Sequence, residues 1–175
     1  MGSAGWAVRV LDSDTVMPDG WLFPPGRGHQ EPVLASAGLI LVLGSALGPG
    51  PASALSLMAT GLEVMGGVEL SDADGRPTGV VTGPRLLPAA GLDLSLIGLL
   101  LDVGGQQLAT ACGASAAGHP AAAAAAALSD WGVDQLGAGT MIFSGRWTAP
   151  VSVPPGSHLT ASFGHLGSVT LRVSR

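Results

Sequence analysis

The sequence predicts an α+β fold, in which a curled, mixed and mostly antiparallel β-roll surrounds a cavity and one main helix packs against it. Three observations favour this fold class. The 175 residues include 28 Gly and 13 Pro, which is typical of short elements joined by many turns. Short apolar runs lie between these turns, and one alanine-rich run has the features of a helix. We expect residues 1–175 to form a single domain.

Several apolar runs predict strands. LASAGLILVLG, residues 34–44, is a run of the kind that fills a buried strand. LEVMGGVEL alternates in polarity until a glycine pair, which we expect to interrupt it. Two apolar runs flank Gly104 and Gly105, a pattern typical of a β-hairpin. Four further strand candidates follow towards the C-terminus: GTMIFSG, WTAPVSV, HLTASFG and SVTLRVS.

Two segments predict helices. HPAAAAAAALSDWG is the main one, because Pro120 suits a first turn, alanine has the highest helix propensity, and Gly132 can end the helix. PASALSLMATG begins with Pro51 and ends at Gly61, which predicts a shorter helix.

Charge and composition exclude several kinds of partner. The net charge is −5 and the seven basic residues, all Arg, are scattered, so we expect no nucleic-acid partner. The absence of Lys excludes a Schiff base. A single cysteine, Cys112, excludes an internal disulfide and is expected to be a small buried residue. The longest apolar run is too short to span a bilayer, and we expect a cytoplasmic protein without a membrane partner.

Residues 91–173 carry an ordered set of motifs: GLDLSLIGLLLDVGGQQLATAC, the Gly-His-Pro start of the alanine-rich helix, SGRWTAPV and HLGSV. In this order and spacing they resemble the 2-oxopent-4-enoate hydratase and 4-oxalocrotonate decarboxylase group of the fumarylacetoacetate hydrolase superfamily. The resemblance implies a β-roll around a cavity and a magnesium or manganese ion held by three carboxylates, two of them from an E-x-E strand. It also implies a 2-oxo acid substrate whose enolate the metal stabilises.

The sequence departs from this pattern where the metal would bind. LASAGLILVLG resembles the E-x-E strand but has Ser36 and Gly38 at the two glutamate positions. LEVMGG keeps a matching Glu63. The segment that carries the family's catalytic lysine is shortened, and we expect the family's usual N-terminal region to be missing. We therefore expect no cofactor, with Mg or Mn as the alternative.

Glu63 is the predicted catalytic residue, as a pocket carboxylate that acts as a ligand or a general base. The alternative is an acid on the open face of a strand. If a metal is bound, Glu63 and Glu31 are its predicted ligands. Asp72 and Asp74 resemble half of a calcium loop, but no glutamate follows at the required position, so we expect a turn.

The predicted substrate-binding residues come from SGRWT and from the start of the alanine-rich helix. In SGRWT, the Ser144 hydroxyl would donate to a substrate carbonyl, Arg146 would pair with a carboxylate, and Trp147 would form a pocket wall. The whole set is Ser144, Arg146, Trp147, Thr148 and His119. His119 has a second interpretation, which we favour, as a residue that fixes the helix entry by hydrogen bonding.

Three functions are compatible with these residues. The first is an enzyme that isomerises or cyclises a small carbonyl-containing or polyene-like molecule without the family's metal. The second is a metal-dependent 2-oxo acid hydratase or decarboxylase. The third is a non-catalytic subunit of a hydratase/decarboxylase-type complex. The hydrophobic content of 47% also favours a homodimer.

Overall fold

The computed structural model describes residues 8–23, 33–133 and 135–175. In these residues the α-helices are α1 (Ala54–Ala59) and α2 (Pro120–Asp130). The strands, in chain order, are β1 (Arg9–Val10), β2 (Val16–Met17), β3 (Trp21–Phe23), β4 (Val33–Val42), β5 (Glu63–Ser71), β6 (Pro77–Thr82), β7 (Leu87–Pro88), β8 (Gly98–Val103), β9 (Gln106–Cys112), β10 (Met141–Phe143), β11 (Val151–Val153), β12 (His158–Ser162) and β13 (Ser168–Val173).

The described strands form two sheets. The first has the order β1-β10-β4-β5-β6-β2, with β11 also pairing with β4 and β7 with β5. The second has the order β3-β13-β12-β8-β9. The pairs β2–β6 and β3–β13 are parallel, whereas the pairs along the centre of each sheet are antiparallel. The predicted α+β class, with a curled and mostly antiparallel sheet, is confirmed.

The predicted elements are present where the sequence patterns placed them. Gly104 and Gly105 join β8 to β9, both with positive φ, as the hairpin pattern requires. The four C-terminal runs form β10 to β13. The expectation that Cys112 is buried was wrong, because Cys112 is the last residue of β9 and is partly exposed.

One expectation about strands was wrong, because the glycine pair does not interrupt β5. A Cβ atom on Gly66 would overlap the ring of Phe163, and one on Gly67 would lie 2.7 Å from Cγ1 of Ile40. The two glycines therefore continue the strand and leave room for neighbouring side chains.

The alternation of side chains along β4 and β5 gives the first sheet two different faces. One face contributes to the main hydrophobic core, which includes residues of the second sheet and the alanines of α2. The opposite face contributes to a smaller apolar cluster, whose buried members are Leu11, Ile40, Val80 and Phe143. The candidate site lies on this second face.

Helix α2 begins and ends as predicted. His119 is the N-cap and its Nδ1 accepts a hydrogen bond from the backbone N–H of Ala121, at 3.2 Å. Gly132 follows the helix with a φ of 66°. None of the helices in residues 8–23, 33–133 and 135–175 is long and apolar enough to cross a membrane.

Candidate functional site

The register between β4 and β5 determines which acid lies near the two positions where the resemblance implies glutamates. Ser36 lies opposite Glu69, and Gly38 lies opposite Gly67. Since alternate residues of a strand share a face, Glu69 is on the same face as Ser36 and Gly38. The acid next to these positions is therefore Glu69.

Glu63 lies at the other end of β5, opposite Val42 and Pro88, and is partly buried. Glu63 and Glu69 are six positions apart, which corresponds to about 20 Å of extended strand. The structure thus does not bring Glu63 together with Ser36, and the catalytic role of Glu63 stays a prediction. Glu31, the other predicted metal ligand, lies outside the described residues.

Glu69 is fully buried and its carboxylate contacts two arginines. The Nε–H of Arg146 donates a hydrogen bond to Oε1 at 2.6 Å. Nη2 of Arg9 lies 3.0 Å from Oε2, but this charge contact lacks hydrogen-bond alignment, so Oε2 has no hydrogen-bond partner. We call Arg9, Glu69 and Arg146 the Arg–Glu–Arg cluster. The side chains of Arg9 and Arg146 are 27% and 21% exposed, but Nε and Nη2 of Arg9 are themselves buried.

Local pairing places both arginines beside Glu69. Arg9 lies on β1, opposite Phe143 of β10, which pairs with β4. After β10 the chain continues along β4, because the Ser144 N–H donates to the carbonyl of Leu39 and the Trp147 N–H to the carbonyl of Ala37. Arg146 lies between these two hydrogen bonds. Its guanidinium is therefore positioned by backbone contacts to the strand that carries Ser36 and Gly38.

The backbone of this segment leaves no room for a side chain at Gly38. A Cβ atom on Gly38 would overlap the carbonyl oxygen of Gly145 and lie 3.2 Å from Cζ of Phe143. No side chain fits at residue 38 unless the segment moves. The backbone of Gly145 and the ring of Phe143 thus occupy the space where the side chain of the second E-x-E glutamate would lie.

The predicted substrate-binding residues are divided between the two faces of the first sheet. Arg146 joins the Arg–Glu–Arg cluster. Trp147 belongs to the main core, where its ring contacts Phe163 edge-on at a centroid distance of 5.9 Å. Several buried polar atoms here have no hydrogen-bond partner: Ser36 Oγ, Arg9 Nε, Ser144 Oγ, Thr148 Oγ1 and Trp147 Nε1.

His119 is occupied by its capping hydrogen bond, in agreement with the interpretation that it fixes the helix entry. It also lies near Asp93, whose pKa is lowered mainly by a hydrogen bond from the Ser95 hydroxyl and to a smaller extent by the charge of His119. Asp72 accepts hydrogen bonds from the N–H groups of Asp74 and Arg76, which confirms the predicted turn.

Sequence reasoning missed Arg9 and did not distinguish Glu69 from the neighbouring acids. Two signals were present. Glu69 alternates with apolar residues in GGVELS, and Arg9 lies between Val8 and Val10. A charged residue within an alternating apolar segment is a candidate for a buried ion pair.

Comparison with known proteins finds relatives of this chain. No family model matches the sequence. The curated 4-oxalocrotonate decarboxylase of Pseudomonas putida is 34% identical over 98 residues, which cover 54% of this chain and 37% of that protein. The chain is a homologue of 4-oxalocrotonate decarboxylase. The resemblance predicted from the motifs is confirmed.

Solved structures extend the similarity to the whole described fold. 4-Oxalocrotonate decarboxylase from Pseudomonas putida G7, complexed with calcium and acetate, superposes with a TM-score of 0.78 at 27% identity, covering 91% of this chain and 66% of that one. Fumarylpyruvate hydrolase from Pseudomonas aeruginosa, in complex with Mn²⁺ and pyruvate, has a TM-score of 0.71 at 18% identity, with coverages of 93% and 76%, and shares the fold. The match covers 37% of the curated decarboxylase and 66% of the solved one, so this chain spans less than two thirds of either protein.

The residues around the Arg–Glu–Arg cluster do not fit a divalent metal ion. Ser36 and Gly38 offer no carboxylate, and both oxygens of Glu69 face a guanidinium. Hard cations such as Mg²⁺ need several oxygen ligands. A divalent ion here would also be repelled by each guanidinium, by on the order of several kcal/mol. Among the residues that the structure describes, no group of three or more His, Cys, Asp or Glu side chains lies together.

Proposed function

We propose that this chain is an enzyme that isomerises or cyclises a small carbonyl-containing molecule without a divalent metal ion. Homology to 4-oxalocrotonate decarboxylase supports enzymatic activity on a small organic acid. The observation that carries the proposal is the Arg–Glu–Arg cluster, in which two guanidinium groups lie beside the position of the missing E-x-E carboxylates.

The arginines supply the positive charge that the reaction needs. Removal of a proton next to a carbonyl places negative charge on the carbonyl oxygen, and a metal ion ordinarily neutralises it. A guanidinium group is permanently charged and donates several hydrogen bonds in a fixed plane. Held by Glu69 and by the backbone, Arg9 and Arg146 are preorganised, so they can stabilise an enolate without rearrangement.

Glu69 supplies a carboxylate for proton transfer. Its Oε2 is buried and contacts Arg9 without an aligned hydrogen bond, and in the proposed reaction it is the carboxylate oxygen that accepts the proton. In the proposed isomerisation, Oε2 takes a proton from the carbon next to the carbonyl, and the electron pair of that C–H bond moves into the enolate. The same proton is returned to another carbon of the conjugated system, so no co-reactant is needed.

The metal-dependent reading remains the second candidate. The related decarboxylase structures contain calcium or magnesium, and the hydrolase structure contains manganese. In that case the chain would be a 2-oxo acid hydratase or decarboxylase. A non-catalytic subunit, a homodimer and a cytoplasmic location stay predictions.

Proton exchange tests the proposal directly. We expect the purified chain, in D₂O with EDTA, to exchange the C3 protons of 2-oxobutanoate, as followed by proton NMR. Glu69→Gln should lower the exchange rate by about 100-fold or more, the size of a general-base contribution. Glu63→Gln, measured in parallel, tests the catalytic role predicted for Glu63: a loss of exchange in this variant, with exchange kept in Glu69→Gln, would assign the base to Glu63. Exchange that appears only after Mg²⁺ or Mn²⁺ is added would overturn the metal-free function.

A further inference from the structure

We infer that the groove between residues 91–98 and 163–166 binds a small organic amine, with Asp93 as the residue that holds the ammonium group. This site goes beyond the proposed function, because none of these residues belongs to the first sheet, which carries the Arg–Glu–Arg cluster. The ligand class is a primary amine joined to an aromatic ring or to an apolar group of similar size.

The size and lining of the groove are the first argument. Its volume is about 420 Å³, which is in the range of small-molecule sites. Two short 3₁₀ turns, Leu94–Leu96 and Gly164–Leu166, contribute to its lining. The described lining consists mostly of apolar side chains and glycines, and its polar side chains are Asp93 and His165. A ligand that fills the groove is therefore largely apolar.

Exposed apolar surface and open space are the second argument. Phe163 is fully buried and Leu166 is 2% exposed, so both form the floor, whereas Leu96 at the rim is 75% exposed. An exposed leucine beside an apolar groove is stabilised when a ligand removes it from water. A Cβ atom would meet no atom within 4 Å at each of three lining glycines: Gly91, Gly98 and Gly164. An aromatic ring can thus lie close to the backbone here.

The charge of the groove is the third argument, and it determines the class of ligand. Asp93 is ionised at neutral pH, since its pKa is lowered, mainly by a hydrogen bond from the Ser95 hydroxyl. Both bonds from Ser95 end on Oδ1, which leaves Oδ2 for a ligand. His165 lines the groove and His119 lies near Asp93, and an imidazole is ordinarily uncharged at about pH 8. An ammonium group therefore complements the groove, whereas a carboxylate ligand would be repelled.

Calorimetric titration with 2-phenylethylamine at about pH 8 tests this inference. We expect saturable binding to the full chain in the millimolar range, about 3-fold tighter than binding of the neutral analogue 2-phenylethanol, because an ion pair at an exposed carboxylate contributes little. Phenylacetate, which has the opposite charge, should bind more weakly than either. Asp93→Asn should remove the preference for the amine and keep the binding of 2-phenylethanol, a result that a merely structural role of Asp93 would not produce.

Filling the groove tests its location. Gly98 has open space at its Cβ position and its φ is not positive, so Gly98→Val should fold and should weaken amine binding by about 10-fold or more. Gly137→Val is the matched control, because its Cβ position is equally open and lies outside the groove, and its affinity should equal that of the wild type. Circular dichroism establishes that each variant is folded. Leu96→Ala, at an exposed position, replaces Gly98→Val if that variant does not fold, and it should weaken binding by several-fold.

No saturable binding of 2-phenylethylamine, or equal affinity of the wild type and the groove variant, would overturn the inference. Equal affinity for the amine and for phenylacetate would also overturn it. Glu69→Gln should bind the amine as tightly as the wild type does, because Glu69 lies in the first sheet. A failed proton-exchange experiment would overturn only the proposed function, since amine binding requires no proton transfer.

Discussion

Glu69 is the residue on which the account of the site depends. A fully buried carboxylate is costly unless it is paired and hydrogen-bonded, and Glu69 meets this condition through Arg146 and Arg9. The two arginines are partly exposed, so they lose less hydration than Glu69 does on folding. Breaking one contact leaves a buried charge with a single partner.

Loss of one arginine should therefore reduce stability. We expect Arg146→Met to lower the free energy of unfolding by about 2–4 kcal/mol, because Glu69 stays buried without its best-aligned hydrogen bond. Urea unfolding followed by circular dichroism measures this change. Arg76→Met is the control, since Arg76 is 78% exposed and its loss should cost less than about 0.5 kcal/mol. Equal effects of the two substitutions would contradict the buried ion pair.

Ser36 and Gly38 should respond differently to replacement by alanine. Gly38→Ala places a methyl group against the carbonyl of Gly145, so we expect a loss of about 1–3 kcal/mol from overpacking. Ser36→Ala removes a hydroxyl that has no partner, and its stability should equal or exceed that of the wild type. Thermal unfolding of both variants checks the pair. A neutral Gly38→Ala would show that the segment after β10 moves freely.

Among the elements, helix α2 depends on its N-cap. His119 accepts from the N–H of Ala121, so His119→Ala should cost about 1 kcal/mol, while His119→Asn should restore most of it. Urea unfolding gives the stabilities, and His158→Ala at an exposed strand position serves as the control. Proton exchange of 2-oxobutanoate should be the same in all three variants. A large loss of exchange in a folded His119→Asn would favour the pocket-base interpretation.

The turn before β8 should contribute a pH-dependent stability. Asp93 Oδ1 accepts hydrogen bonds from the Ser95 hydroxyl and N–H, and these bonds lower the folded-state pKa of Asp93 below its ordinary value of 3.8. The unfolded state therefore takes up the proton first as the pH falls. The stabilising contribution is present above pH 3.8 and is lost as the pH drops through the folded-state pKa.

Asp93→Asn tests this dependence by comparison with the wild type. We expect the wild type to be the more stable protein near neutral pH, and the difference to shrink below pH 3.8, because Asn does not titrate. Urea unfolding across the acid range measures it. A difference that stays constant over that range would show that the charge of Asp93 does not contribute.

At the scale of the whole molecule, local patterns predicted the elements well. The β8–β9 hairpin and helix α2 follow from turn glycines, a proline and alanine propensity, all of which act over a few residues. Most of the apolar run 34–44 lies in β4 (Val33–Val42), whose residues are buried on both faces of the sheet. These features need no knowledge of the tertiary structure.

The candidate site was predicted less well because it depends on long-range register. Glu69 and Arg146 are 77 positions apart, and their contact requires β5, β4 and the segment after β10 to align. The motif comparison assigned the surviving carboxylate to Glu63, while the strand pairing places Glu69 opposite Ser36. A shift in register by an even number of residues keeps the same side chains on each face of the strand, so a pattern with a period of two does not detect it.

Metal titration tests the central claim most directly, which is that two arginines stand in for the metal ion. Calorimetric titration of the full chain with MgCl₂ or MnCl₂ should give no saturable heat at millimolar concentrations, because the cluster repels a cation and Ser36 and Gly38 supply no carboxylates. Micromolar binding of either ion that disappears in Glu69→Gln or in Glu63→Ala would contradict the account.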